Sequence, residues 1–193
     1  MKIPFIKFMI DFFKIPRSYL SYYTQKWYNI DCGLVKLKGR IAMYKWTYQT
    51  EFGAITIGAN MNSITYLKTY DTYEGEFKET DLIQRAFLQL REYFSGERCY
   101  FDVPLNPKGT EFQNQVWIAL NDIPYGKTIT YAQLARMMDK PKAIRAAGAA
   151  NGKNPIYIMI PCHRVIGSNG SLTGYDGGLD MKKKLLRLEG VEF

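Results

Sequence analysis

Histidine occurs once in these 193 residues, as His163, and cysteine three times, as Cys32, Cys99 and Cys162. One histidine excludes a di-histidine metalloenzyme and a two-cysteine, two-histidine zinc site by counting, and there is no CxxC pair from which to build a cysteine-rich one. Three widely spaced cysteines are too few for a disulfide framework, which favours a reducing compartment. Long apolar runs are missing too. The opening MKIPFIKFMIDFF is broken by Pro4, Lys7 and Asp11 and lacks a small-residue cleavage site, so it reads as neither membrane anchor nor signal peptide. Acidic residues are the minority, 18 against 26 Lys and Arg, for a net charge of +8. The basic excess points to an anionic partner, nucleic acid or membrane surface, without choosing between them. At 47% apolar the chain has enough core-forming residues to exclude a disordered tail or a repeat array.

The charge divides the chain. Residues 1–42 carry +6, residues 43–104 carry −3 and residues 105–193 carry +5. The first segment also holds nine of the 29 aromatics but no sustained helical or alternating period. From Met43 the pattern becomes regular: Tyr44, Trp46 and Tyr48 alternate, Glu51-Phe52-Gly53 turns, and Ile55, Ile57, Ile64 and Tyr66 continue, which predicts a small antiparallel meander. Thr80-Asp81 opens a helix with Leu82, Ile83, Ala86, Phe87, Leu90, Tyr93 and Phe94 on one stripe, ending near Gly96. The stretch GERCYFDVPLNPKG reads as a linker between two domains, with Cys99 an inert packed thiol.

Two capping boxes follow, Thr110 with Gln113 and Thr130 with Gln133, and predict helices over about 110–121 and 130–138. A third helix, KAIRAAGAANG, is expected with Pro141 in its first turn. The pair of short helices reads as helix-turn-helix. In the third helix Ala146, Ala147, Gly148, Ala149 and Ala150 leave little bulk beside Lys142 and Arg145. Such a helix suits a narrow anionic groove; it equally suits tight packing against a neighbour with Arg145 in solvent. Tyr131 has a similar double reading, half-buried or functional. Residues 156–160, IYIMI, read as a buried strand leading into Pro161-Cys162-His163-Arg164. A thiol there, beside the chain's one histidine and an arginine, is expected to have its pKa lowered toward the thiolate, a nucleophile's setting. Neighbours on an extended chain point apart, so His163 reaches the Cys162 sulfur through a turn or a bridging water. A buried cysteine followed by an accidental histidine stays open on these residues.

The strings FQNQVWIALNDIPYGKTITYAQLA and NPIYIMIPCHRVIGSNGSLTGYDGGLDMKKKLLRLEG make the resemblance specific. From about Met43 to the C-terminus the chain resembles the methylated-DNA–protein-cysteine methyltransferases. The resemblance implies an α+β fold: a small N-terminal antiparallel sheet with a helix, ribonuclease H-like, over 43–104, then a helical domain with a winged helix-turn-helix over 105–193. Residues 1–42 would be an extension, or upstream sequence from an early start codon with the true start at Met43. The implied function is direct repair: Cys162 takes the alkyl group from O6-alkylguanine, and by extension O4-alkylthymine, irreversibly, after the base is flipped out. His163 and Glu189 would complete a Glu–His–water–Cys relay. Tyr131 would stand at the neighbouring phosphate, Arg145 would fill the gap left in the stack, and Ala146, Ala147 and Gly148 would lie in the minor groove. Asn154 matches the family's hinge, Val165 and Tyr175 match pocket-lining positions, and Lys182 is expected to face the pocket. Asp176 stands where members often carry a small or different residue, so an acid there bears on pocket size. No cofactor and no zinc are implied; the partner is double-stranded DNA containing O6-alkylguanine, met by a cytoplasmic monomer with no membrane contact. The runner-up is a binder of alkylated bases that transfers nothing. Members of that class replace the cysteine, usually with tryptophan, whereas Cys162 is present. A helix-turn-helix regulator leaves Cys162, His163 and Glu189 unemployed.

Overall fold

In a computed structural model of the chain the structure describes residues 42–192, which belong to one compact unit. The expectations for residues 1–41 and for Cys32 fall outside the described residues. Strands β1 (Tyr44–Thr50), β2 (Gly53–Ala59) and β3 (Ile64–Lys68) form the expected antiparallel meander. Gly53, at φ +96°, closes the β1–β2 turn in a conformation that suits glycine. A short β4 (Glu76–Phe77) pairs in parallel with β1, giving the order β3-β2-β1-β4. Both faces of β2 are covered: Ile55 and Ile57 are wholly buried, and so is Thr56, whose hydroxyl hydrogen-bonds Thr47 at 2.8 Å.

Helix α1 (Asp81–Phe94), capped by Thr80, lays its apolar stripe on the sheet through Phe87 stacked on Tyr48 and Phe94 on Phe52. Each fully buried residue of that stripe, such as Ile83 and Leu90, contributes about 1.5–3 kcal/mol by leaving water. The following stretch is not a free linker. Ile64 N donates to Pro104 O and Asn106 N to Ile64 O, so 104–106 bridges to β3 at Leu105, and Phe101 and Val103 are buried. Cys99 is exposed, not packed, because the apolar anchors of this segment lie beyond it.

Both capping boxes form, opening α2 (Glu111–Leu120) and α3 (Tyr131–Met137). The third helix, α4 (Ile144–Gly152), starts later than expected. Pro141 and Lys142 lie in the turn before it, and no side chain caps its N-terminus. Trp117 of α2 donates from Nε1 to Ala150 O at 2.9 Å and fixes α2 on α4. A short parallel pair, β5 (Ile129–Thr130) with β6 (Val165–Ile166), and a last helix α5 (Leu179–Leu188) complete the order. Among the described residues no helix is long and apolar enough to cross a membrane, and no cluster of three metal-ligating side chains occurs.

Candidate active site and nucleic-acid interface

The run 156–160 is not a strand. Ile156 bridges to Leu67 of β3, with Leu67 N donating to Pro155 O and Tyr157 N to Leu67 O; the chain then turns, with Met159 N on Tyr157 O and Ile160 N on Ile156 O. Ile158 sits at φ +66°, a left-handed conformation costly for a β-branched residue and held by complete burial of its neighbours. The coil brings Cys162-His163-Arg164 into a single 3₁₀ turn buried under α1, α2 and α5. That turn sends Cys162 to Asn154, and His163 and Arg164 to Glu189.

Cys162 receives a hydrogen bond on Sγ from Asn154 Nδ2 at 3.1 Å. The same amide nitrogen donates to Ile160 O at 2.8 Å, while Asn154 Oδ1 accepts from Ile156 N. Asn154 therefore pins the segment that leaves α4 to the cysteine turn, and Asn151, inside α4, adds a bond to Cys162 O at 3.3 Å. The thiol is 2% exposed. Burial pushes its pKa up to about 11, against the pull of Asn154 and Lys182. The expected lowering does not occur, because removing the thiolate from water outweighs the distant positive charges.

His163 turns one ring nitrogen to Glu189. Its Nε2 lies 2.8 Å from Glu189 Oε1, and Nδ1 is buried without a hydrogen-bond partner among the described residues. Burial holds the imidazole below its ordinary pKa in spite of the glutamate, so it is neutral at pH 7. Glu189, just past the end of α5, also accepts from Tyr93 Oη at 2.6 Å, from Gly126 N at 3.1 Å and from Arg164 through Nε and Nη2 at 2.9–3.2 Å. Burial alone would raise its pKa; His163 and Arg164 hold it far below the usual carboxylate range. Arg164 also donates to Ile123 O at 2.6 Å, leaving the buried ion pair well satisfied. Gly126 is required as glycine here: at φ +71°, a Cβ would stand 2.8 Å from Glu189 O. Sequence reasoning named Arg164 without giving it this partner and read Tyr93 as core. No local signal links either to Glu189, since the contacts join residues 25 and 96 positions apart.

Beyond the turn an open cavity of about 560 Å³ lies between α4 and the loop 173–176, lined by Tyr131, Arg145, Gly148, Thr173, Tyr175 and Asp176 among others. Tyr131 donates to Thr173 O at 3.3 Å and lays its ring beside Gly148. Arg145 and Ala146 are exposed on α4, whereas Ala147 is wholly buried and has no surface to offer a groove. A helix presents one face outward, and Ala147 falls on the other. Val165 is likewise buried in β6 and does not line the cavity; Lys182, fully buried, donates to Val165 O at 2.6 Å and Thr173 O at 2.8 Å instead of facing it. Burial lowers the Lys182 pKa to about 8. Tyr175 stands 9% exposed at the cavity, its buried hydroxyl unpartnered among the described residues. Lys183 and Lys184 are exposed.

Comparison with known proteins settles the family. A family model described as the ribonuclease-like domain of 6-O-methylguanine DNA methyltransferase matches residues 43–107, and the DNA-binding domain of the same enzyme matches residues 111–191. The chain belongs to the methylated-DNA–protein-cysteine methyltransferase family. A curated member from Methanosarcina acetivorans is 45% identical over 77% of this chain and 99% of its own length, and one from Haemophilus influenzae is 40% identical over 79% and 89%. Among solved structures, Mycobacterium tuberculosis OGT in complex with DNA aligns at a TM-score of 0.71 with 42% identity, covering 76% of this chain and 92% of that one. The mixed α+β architecture, with its sheet N-terminal and its helices mostly C-terminal, is that of these relatives.

Proposed function

We infer that the chain repairs alkylated DNA directly, by moving the alkyl group from O6-alkylguanine irreversibly onto its own Cys162. The observation that carries the reading is the buried Glu189–His163 pair set beside a buried cysteine in one turn, in a chain of this family. Cys162 Sγ attacks the O6-alkyl carbon; the sulfur–carbon bond forms as the carbon–O6 bond breaks, and the electron pair stays with guanine O6. The thiol proton passes through a bridging water to Nδ1 of neutral His163, whose Nε2 is oriented by Glu189. Tyr175, whose buried hydroxyl has no partner among the described residues, is the donor available to the leaving base as charge develops on it. No cofactor enters the balance, because the damaged base is the alkyl donor.

Helices α3 and α4 act as a winged helix-turn-helix, with Arg145, Ala146 and Gly148 in the minor groove, Arg145 in the gap left by the flipped nucleotide and Tyr131 at the adjacent phosphate. Flipping costs a few kcal/mol. Asn154 is the hinge between α4 and the cysteine turn. Residues 43–104 and 105–193 act as the two domains of a cytoplasmic monomer. Incubation with duplex DNA containing O6-methylguanine is expected to add about 14 Da to the Cys162 peptide, one methyl per molecule, after which uptake stops. An unmodified Cys162 peptide refutes the reading in favour of a binder that transfers nothing.

A further inference from the structure

The cavity wall that carries Tyr175 is tied to the N-terminal sheet through one carboxylate. Asp176 Oδ2 accepts from Lys68 Nζ at 2.7 Å, from Tyr70 Oη at 2.6 Å and from Tyr157 Oη. Lys68 ends β3, Tyr70 follows it, and Tyr157 lies in the coil before Cys162, whose backbone pairs with Leu67. The Lys68 ammonium stands 4.9 Å from the ring centres of both Tyr70 and Tyr157, and the Tyr157 ring lies 5.5 Å from that of Tyr175. With only 14% of its side chain exposed, Lys68 is committed to this cluster. Asp176 is bracketed by Gly174 at φ +43° and Gly178 at φ +87°, so its loop leaves the wall by two glycine-permissive bends. Hydrogen bonds from Lys182 and Tyr131 hold the loop at Thr173, before the first bend. Past that bend, Asp176 supplies the hydrogen-bonded side-chain tie, beside the packing of Tyr175 on Tyr157.

We propose that Lys68 and Asp176 form a specificity-determining positioning pair, which sets how closely the Tyr175 wall stands over the cavity and so how bulky an O6-alkyl group is admitted. The proposal rests on the alkyl-transfer reading above. Asp176 lines the cavity and Lys68 does not, so the influence of Lys68 passes through Asp176. Without the ammonium the carboxylate keeps two phenol donors but loses its counter-charge; the wall then relaxes outward between its two bends. A methyl group, which needs little room, gains nothing from this, while a benzyl group does.

The test compares wild type with Lys68→Met, Lys68→Arg, Asp176→Asn and Lys68→Met/Asp176→Asn. It measures alkylation rates of Cys162 by O6-methylguanine in duplex DNA and by free O6-benzylguanine. Lys68→Met is expected to raise the benzyl-to-methyl rate ratio about tenfold, Asp176→Asn to move it the same way, and the double variant to go no further than the stronger single one. Lys68→Arg, which keeps the charge, is expected to hold the wild-type ratio. An unchanged ratio, or equal losses on both substrates, overturns the proposal. Should Lys68→Met fail to fold, Asp176→Asn against Lys68→Arg decides by the same ratio. A wild-type protein that takes an alkyl group from neither substrate overturns the underlying transfer reading instead.

Discussion

At a pKa near 11, the Cys162 thiol supplies about one thiolate in ten thousand at neutral pH. Its reactivity therefore depends on proton removal during attack, and the neutral imidazole of His163 is suited to that because burial keeps it unprotonated. The pH dependence separates this from an unassisted thiolate. Single-turnover alkylation is expected to change less than about threefold between about pH 7 and pH 9, where a free thiolate would gain about a hundredfold. It is expected to fall only in acid, as pH drops through the depressed histidine pKa. Quench-flow kinetics over that range check it, and a hundredfold alkaline rise would sink the relay. The residues themselves singled out Cys162 and His163, and the family resemblance added Glu189 and Asn154; the structure sets Glu189 against His163 and Asn154 against Cys162. The sequence did not reveal the direction of the thiol's pKa, because that depends on how much surrounding chain excludes water.

Among the elements, those with local signals were legible. Thr80, Thr110 and Thr130 marked helix starts because a hydroxyl accepting an N–H three residues on is a contact within one turn. The start of α4 lies later than its sequence suggests because Pro141 suits a helix N-terminus and a preceding turn alike, and no capping side chain separates the two. The run at 156–160 reads as a strand in sequence because apolar periodicity cannot tell a buried strand from a buried coil; bonds from Asn154 and a left-handed Ile158 make it a coil. The α3 cap has a functional consequence, since Tyr131 is the first residue after it. Thr130→Ala is expected to lower stability by about 1 kcal/mol and to slow repair of duplex DNA more than alkylation by a free base. Urea titration and the two rates measure it; equal slowing of both rates would contradict the placement of Tyr131 at DNA.

Across the whole molecule, the buried network of Tyr93, Gly126, His163, Arg164 and Glu189 joins α1, the α2–β5 connection, the cysteine turn and α5. It also makes the fold acid-sensitive. Both His163 and Glu189 have folded pKa values below their unfolded ones, so the unfolded chain binds more protons and stability falls as pH drops. For the histidine the loss sets in below its ordinary 6.5, and for the glutamate below its ordinary 4.5. The melting temperature is expected to fall between about pH 7 and pH 4. Glu189→Gln is expected to cost about 3–5 kcal/mol at neutral pH by stranding Arg164, and to melt with a shallower acid dependence. Calorimetry across that pH range decides, and an equally steep fall in the variant would remove Glu189 from the acid response.

Helix caps, the amphipathic stripe of α1, the alternating strands and the acceptor motif were determined by the sequence itself, because each is encoded within a few residues by spacing and chemistry. The tertiary structure alone decided which groups meet over long separations. It brought Glu189 against Arg164 and Tyr93, joined Asp176 to Lys68, turned Ala147 inward, and closed enough chain over Cys162 to keep its proton in place. Those outcomes depend on burial and on distances between segments remote in the chain, and neither is written in any one stretch of residues.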